Sequence, residues 1–173
     1  MILVYPGQEA PLEKLKDVLK GQTIYCLSEQ EVNETLGTLI QEAKGAPKQD
    51  VTFLDQASKS GHDQTLLYGV DMSAQDISAL QSQVHPDAIV CLETKNNHQM
   101  TLQELYEEAT QEALYFQKRE ELTSLLEEVD FQALQVNRDY FQCYALACSL
   151  LKQDELSLSL LDTAIQVMRS FQG

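Results

Sequence analysis

The apolar run Ala88-Ile89-Val90-Cys91-Leu92 gives way, across a polar loop, to Leu102, Leu105, Tyr106, Ala109, Ala113 and Phe116, spaced as one face of a helix. No other stretch constrains the fold as strongly. The run is bounded by His85-Pro86-Asp87 and by Glu93 to Gln99, and its unbroken apolarity suits a strand covered on both faces. Thr101 and Glu104 have the spacing of a capping box, so the period changes where a helix should begin. A buried strand running directly into an amphipathic helix is a building block of parallel α/β sheets.

Three earlier stretches repeat the change. Met1 to Tyr5 reads as a strand ended by Pro6-Gly7, followed from about Ala10 by a helix with Leu12, Leu15, Val18 and Leu19 on one face and Gly21 as its stop. Gln22 to Leu27 reads as the second strand. Ser28 and Glu31 then predict a capped helix carrying Val32, Leu36, Leu39, Ile40 and Ala43 and ending at Gly45-Ala46-Pro47, with Gly37 allowing close approach to the sheet. From Lys48 to Asp63 the pattern lapses: Val51 to Leu54 reads as a short extended piece, and Gln56 to Gln64 as a loop within the domain. Thr65 to Val70 reads as the third strand, and Ser73 with Asp76 opens a helix bearing Ala74, Ile77, Leu80 and Val84, closed by His85-Pro86.

Four β-α units in series predict an α/β domain over residues 1–116, with a small, open, mostly parallel four-stranded sheet and helices on both faces. The expected order puts the first strand between the second and third, and the fourth outside the third. Residues 117–173 predict a C-terminal α-helical appendage. The fourth helix continues through Leu122, Leu125 and Leu126 to Val129, and further helices run from about Leu134 to Leu151 and from Asp154 to Phe171. These form either a two-helix hairpin or, with the fourth helix, a closed three-helix bundle.

Twenty-seven acidic residues against 12 basic give a net charge of −15, with no basic stripe to displace counterions from a phosphate backbone. Nucleic acid is therefore not an expected partner. No apolar run approaches a membrane span, and Met1 to Tyr5 is too short for a secretory signal, so a cytoplasmic location without membrane contact is expected. Cys26, Cys91, Cys143 and Cys148 then read as thiols, and the sequon Asn33-Glu34-Thr35 has no role.

Phosphate-binding glycine motifs and the common catalytic signatures are absent, and no cofactor is expected. Open α/β sheets bind ligands beyond the carboxyl ends of their strands. Those ends would present Tyr5, Gly7, Cys26, Asp71, Cys91, Asn97 and His98. Cys26 and Cys91 with His62 and His98 lack the close spacing of zinc ligands, so core packing of the cysteines is preferred and no metal is expected. Cys91 activated by His98 is the sharper alternative, against a simple turn at Asn96-Asn97-His98. The pairs Glu107-Glu108, Glu120-Glu121 and Glu127-Glu128 read as solvated helix faces.

Leu67-Tyr68-Gly69-Val70, Ala88-Ile89-Val90, Asn97, and Thr101-Leu102 with Glu104-Leu105-Tyr106-Glu107-Glu108 resemble a family of small bacterial proteins, the domain of unknown function numbered 3783. Asn33 to Leu39 resembles an earlier element of it, and the likeness extends over residues 1–116. The chain departs from the family at Cys91-Leu92-Glu93, where the family has Thr-Pro-Thr, and at Met100, where it has Trp. The resemblance implies a fold and no activity.

Three functions follow as expectations. The first is a non-enzymatic interaction or regulatory protein that binds another protein or another copy of itself through helical surfaces. Its interface would include Tyr140, Tyr144, Leu158, Leu161 and Ile165, because the appendage holds more apolar positions than one stripe per helix needs. The second is a small-ligand sensor at the strand ends. The third is a thiol enzyme acting through Cys91.

Overall fold

A computed structural model describes residues 1–57 and 59–172. Ser58, within the loop expected from Gln56 to Gln64, and Gly173, at the end of the appendage, lie outside the described residues. The chain forms two compact units, Met1–Thr110 and Gln111–Gly173.

The first unit is mixed α/β. It contains β1 (Ile2–Tyr5), α1 (Leu12–Leu19), β2 (Ile24–Cys26), α2 (Leu36–Gly45), β3 (Thr65–Gly69), α3 (Ala74–Val84), β4 (Ala88–Leu92) and the first turns of α4 (Leu102–Glu127). The strands form one open sheet in the order β2-β1-β3-β4. β1 pairs parallel with β2, and β3 parallel with β4, but β1 and β3 are antiparallel, with Ile2 opposite Gly69 and Tyr5 opposite Leu66. The sheet is thus mixed, where the sequence predicts a mostly parallel one.

The reversal is made by the stretch where the sequence pattern lapses. After α2 the chain passes along β2, with Gln49 bridged to Ile24, and then turns through a 3-10 helix at Val51–Asp55. It reaches the far end of β1, where the Ser60 N–H donates to Pro6 O at 2.7 Å and the Gln8 N–H to His62 O at 2.8 Å. β3 therefore starts where β1 ends. Val51 to Leu54 is helical rather than extended, and it docks through Leu54, which is 1% exposed.

Two other local expectations are corrected. The capping box of Ser28 and Glu31 forms, but it closes only a 3-10 turn at Glu29–Glu31, and α2 begins later with Thr35 as its N-cap. The turn satisfies the box within one revolution, so no helix need follow. Gly37 makes a close approach to the loop after β4 instead of to the sheet: a Cβ there would lie 3.1 Å from His98 O.

Strand residues alternate between the two faces of the sheet. Ile2, Val4, Ile24, Leu67 and Ala88 pack with Leu15 and Leu19 of α1, Leu54, and Leu80 and Val84 of α3. Leu3, Tyr5, Leu66 and Tyr68 turn to the opposite face, where Tyr5 meets Tyr106 of α4 and Tyr68 meets Asn97. α4 is capped as its sequence predicts: Thr101 N–H donates to Glu104 Oε2 at 2.8 Å, and Glu104 N–H to Thr101 Oγ1 at 3.2 Å.

The second unit is helical, comprising the rest of α4, α5 (Phe131–Val136), α6 (Arg138–Leu150) and α7 (Leu158–Gln172). The single helix expected near Leu134 to Leu151 is two, because Asn137 leaves the helical conformation and its side chain caps α6 by accepting the Tyr140 N–H at 3.1 Å. Leu122 and Leu126 of α4 share one core with Leu134, Tyr140, Ala147, Leu161, Ile165 and Met168. Arg119 holds the end of α6, donating to Leu151 O at 2.6 Å and Gln153 O at 3.0 Å. Cations at helix C-termini satisfy orphan carbonyls and complement the dipole.

Candidate functional site

The mixed sheet divides the expected ligand residues. Because β1 and β2 run opposite to β3 and β4, the carboxyl ends of the two pairs lie at opposite ends of the sheet. Tyr5, Gly7 and Cys26 fall at one end, and Asp71, Cys91, Asn97 and His98 at the other. A single crevice lined by all seven, as a parallel sheet would give, does not form.

At the first end the fully buried Tyr5 donates its hydroxyl to Glu29 Oε1 at 2.9 Å, and the Gly61 N–H donates to the same oxygen. Burial, and then the Glu29 acceptor, push the Tyr5 phenol upward, while the Gly61 and Tyr5 donors hold the Glu29 carboxyl below its usual range. Tyr5 packs edge-on to His62 and Tyr106, whose own rings stack at 4.1 Å. His62 Nε2 lies 3.3 Å from Gln103 Oε1, and the Tyr106 hydroxyl donates to Gln64 O at 3.2 Å. Gly7 N–H donates to buried Thr65 Oγ1 at 3.0 Å. Cys26 is half-buried against the core, and burial pushes its thiol up to about 11.

At the second end Asn97 is the hub. Its Oδ1 accepts the Tyr68 hydroxyl at 2.6 Å and the Thr94 N–H at 2.9 Å, and its Nδ2 donates to Leu92 O at 3.0 Å. His98 Nε2 pairs with Glu93 Oε1 at 2.8 Å, and Glu93 Oε2 accepts the Asp71 N–H at 2.9 Å. Asp71 has a φ of 53° and pairs with Lys44 at 2.9 Å, which holds its carboxyl below the usual range. Cys91 sits within β4 in register with Tyr68.

These two networks satisfy their own polar groups, as a folded polar core requires. Glu93 takes the His98 Nε2, so this contact orients the ring toward a carboxylate. No group of three or more His, Cys, Asp or Glu side chains is placed to hold a metal ion among the described residues. Among the described residues, no helix is long and apolar enough to cross a membrane. The sequence reading missed Glu29 and Tyr106 at one end and Tyr68, Glu93 and Lys44 at the other, and weighed His62 only as a zinc ligand. Only the capping position of Glu29, next to Ser28, offered a local signal.

The helical unit also redistributes the expected interface. Tyr140, Leu161 and Ile165 are buried in the bundle core, and Tyr144 and Leu158 are half-buried, because α4 extends far enough to close the bundle. A hydrogen bond with Cys148 pushes the Tyr144 phenol up. The exposed large apolar side chains are others: Leu114, Phe116, Phe131, Val136, Phe141, Leu146 and Leu160, with Val136 87% exposed. The same unit holds a pocket of about 390 Å³ lined by Glu128, Asp130, Ala133, Tyr140, Phe171 and Gln172. No protein-family model matches the chain, and no curated protein or solved structure is similar to it.

Proposed function

We propose that the chain is a non-enzymatic interaction or regulatory protein of the cytoplasm, and that the C-terminal helical unit carries its contact surface for a protein. One observation supports this above the rest. Among the described residues, of eight exposed large hydrophobic side chains seven belong to the smaller, helical unit and only Phe53 to the α/β unit. The apolar area these side chains leave in water adds nothing to folding and is removed from water when a partner covers it. Phe131, Val136, Phe141 and Leu146 fall within α5 and α6, which concentrates the surface on a short stretch of chain.

The strand-end sensor has less support, because its residues divide between two ends of the sheet, and the Cys91 reading has less because His98 Nε2 meets Glu93. Membership of the bacterial family that residues 1–116 resemble is part of the same proposal and adds no activity.

Sedimentation of the full chain at high micromolar concentration tests the surface. The wild type is expected to run as a dimer or larger, and Phe141→Glu with Val136→Glu as a folded monomer. Wild type and variant sedimenting alike, with no protein partner distinguishing them, would remove the rationale. A catalytic turnover abolished by Cys91→Ser would overturn the non-enzymatic reading.

A further inference from the structure

We infer that the exposed face of α6 pairs with the same face of a second copy of the chain, the two helices running antiparallel about a twofold axis between Ala145 and Leu146. The inference rests on the interaction reading above and names the partner and the register.

α6 keeps one face outside the bundle. Tyr140 and Ala147 are buried, and on the opposite side Phe141, Gln142, Ala145, Leu146 and Ser149 are exposed at helical spacing. None of these five is charged, although charged residues make up 23% of the chain. An uncharged centre with charges at its margin is the anatomy of a protein interface.

The margin says what covers the centre. Arg138 and Asp139 open α6, Lys152 and Asp154 follow its end, and all four are exposed. Of the five basic residues in the unit, Lys118 and Arg169 pair with Asp162 and Glu121, and Arg119 holds the carbonyls at the end of α6. Arg138 and Lys152 are left without an ion pair among the described residues, and so are Asp139 and Asp154. One acid and one base at each end make the face complementary to its own reverse.

Asp139 and Lys152 stand equally far along the chain from the midpoint between Ala145 and Leu146. An axis there brings each Asp139 to the partner's Lys152 and each Arg138 within reach of the partner's Asp154. The same register sets Phe141 against the partner's Leu150, and Leu146 against the partner's Ala145, a large side chain on a small one. A parallel pair would instead set Arg138 on Arg138 and Lys152 on Lys152. Antiparallel helices also place the positive end of each dipole beside the negative end of the other. Because both copies use one self-complementary face, the contact closes as a dimer.

The test is sedimentation equilibrium of the full chain with charge-reversed variants whose folding is checked by circular dichroism. Asp139→Lys and Lys152→Glu each turn two attractions per dimer into repulsions, and each is expected to raise the dissociation constant roughly tenfold or more. The double variant Asp139→Lys/Lys152→Glu exchanges the charges and should return to within about threefold of wild type. An equimolar mixture of the two single variants should pair across, since both contacts are then attractive, while each alone stays largely monomeric. Damage to α6 itself would be rescued by neither. Single reversals without effect, or a double variant and a mixture that both fail to recover, would overturn the proposal. A dimer lost with Phe141→Glu/Val136→Glu but indifferent to the reversals would keep the interaction surface and sink this pairing. A wild type that stays monomeric at high micromolar concentration would overturn the pairing and leave the surface to a different protein.

Discussion

The Tyr5 hydroxyl and the Gly61 N–H converge on one oxygen of Glu29, tying the end of β1 to the loop that leads into β3. Because the folded Glu29 carboxyl is held below its usual range, its contribution to stability is complete above the unfolded carboxyl value and is lost as pH falls through the folded one. Glu29→Gln keeps an acceptor but not the charge. Its deficit in urea-derived stability is therefore expected to shrink from about pH 7 to about pH 3. A deficit constant across that range would show that charge has no part in the contact.

Gly7 and Gly45 should respond oppositely to alanine. A Cβ on Gly7 would lie 2.3 Å from both Asp63 O and Gln64 C, which are backbone atoms that cannot rotate aside. Gly7→Ala is expected to cost more than about 2 kcal/mol, as overpacking against a fixed backbone does. A Cβ on Gly45, the last residue of α2, would meet no other group within 4 Å, so Gly45→Ala should stabilise by about 0.4–1 kcal/mol. Denaturant titrations of the two variants check both signs.

Asn97→Asp tests the second hub. The substitution keeps an acceptor for Tyr68 and Thr94 but replaces the donor to Leu92 O with a carboxylate oxygen. A loss of about 1–3 kcal/mol is expected at neutral pH, partly recovered in acid as the carboxyl gains a proton to donate. Equal loss at both pH values would mean that Leu92 O finds another partner.

Cys26 should be a poor nucleophile. Its thiol, pushed from an ordinary value of 9.0 to about 11, holds about a hundredfold less thiolate at neutral pH than an unperturbed cysteine. Alkylation by iodoacetamide followed by peptide mapping is expected to modify Cys26 slowly in the native chain and quickly after unfolding. Native labelling as fast as that of the unfolded chain would contradict the burial argument.

Features fixed by neighbouring residues were legible in the sequence. The Thr101 and Glu104 cap, the β4 run and the apolar first strand depend on local sequence, and each forms where it was expected. The direction of β3 was not legible. It is set by backbone groups of Pro6, Gln8, Ser60 and His62, and a backbone carbonyl has the same chemistry in every residue. The apolar stripe of α7 was legible too, but whether Leu161 and Ile165 face solvent or core depends on how far α4 runs, which periodicity alone leaves open.

Gln49 has a consequence for how the sheet can grow. Its backbone oxygen accepts the Ile24 N–H at 3.1 Å, and its side-chain oxygen accepts the Cys26 N–H at the same distance, while Tyr25 between them is in register with Leu3 of β1. One residue thus fills both donor sites that an incoming strand would seek along that margin. Edge strands are templates for unwanted pairing unless something occupies them. β2 is closed to such addition by a plug one residue long, so any intermolecular extension of this sheet is directed to the β4 side.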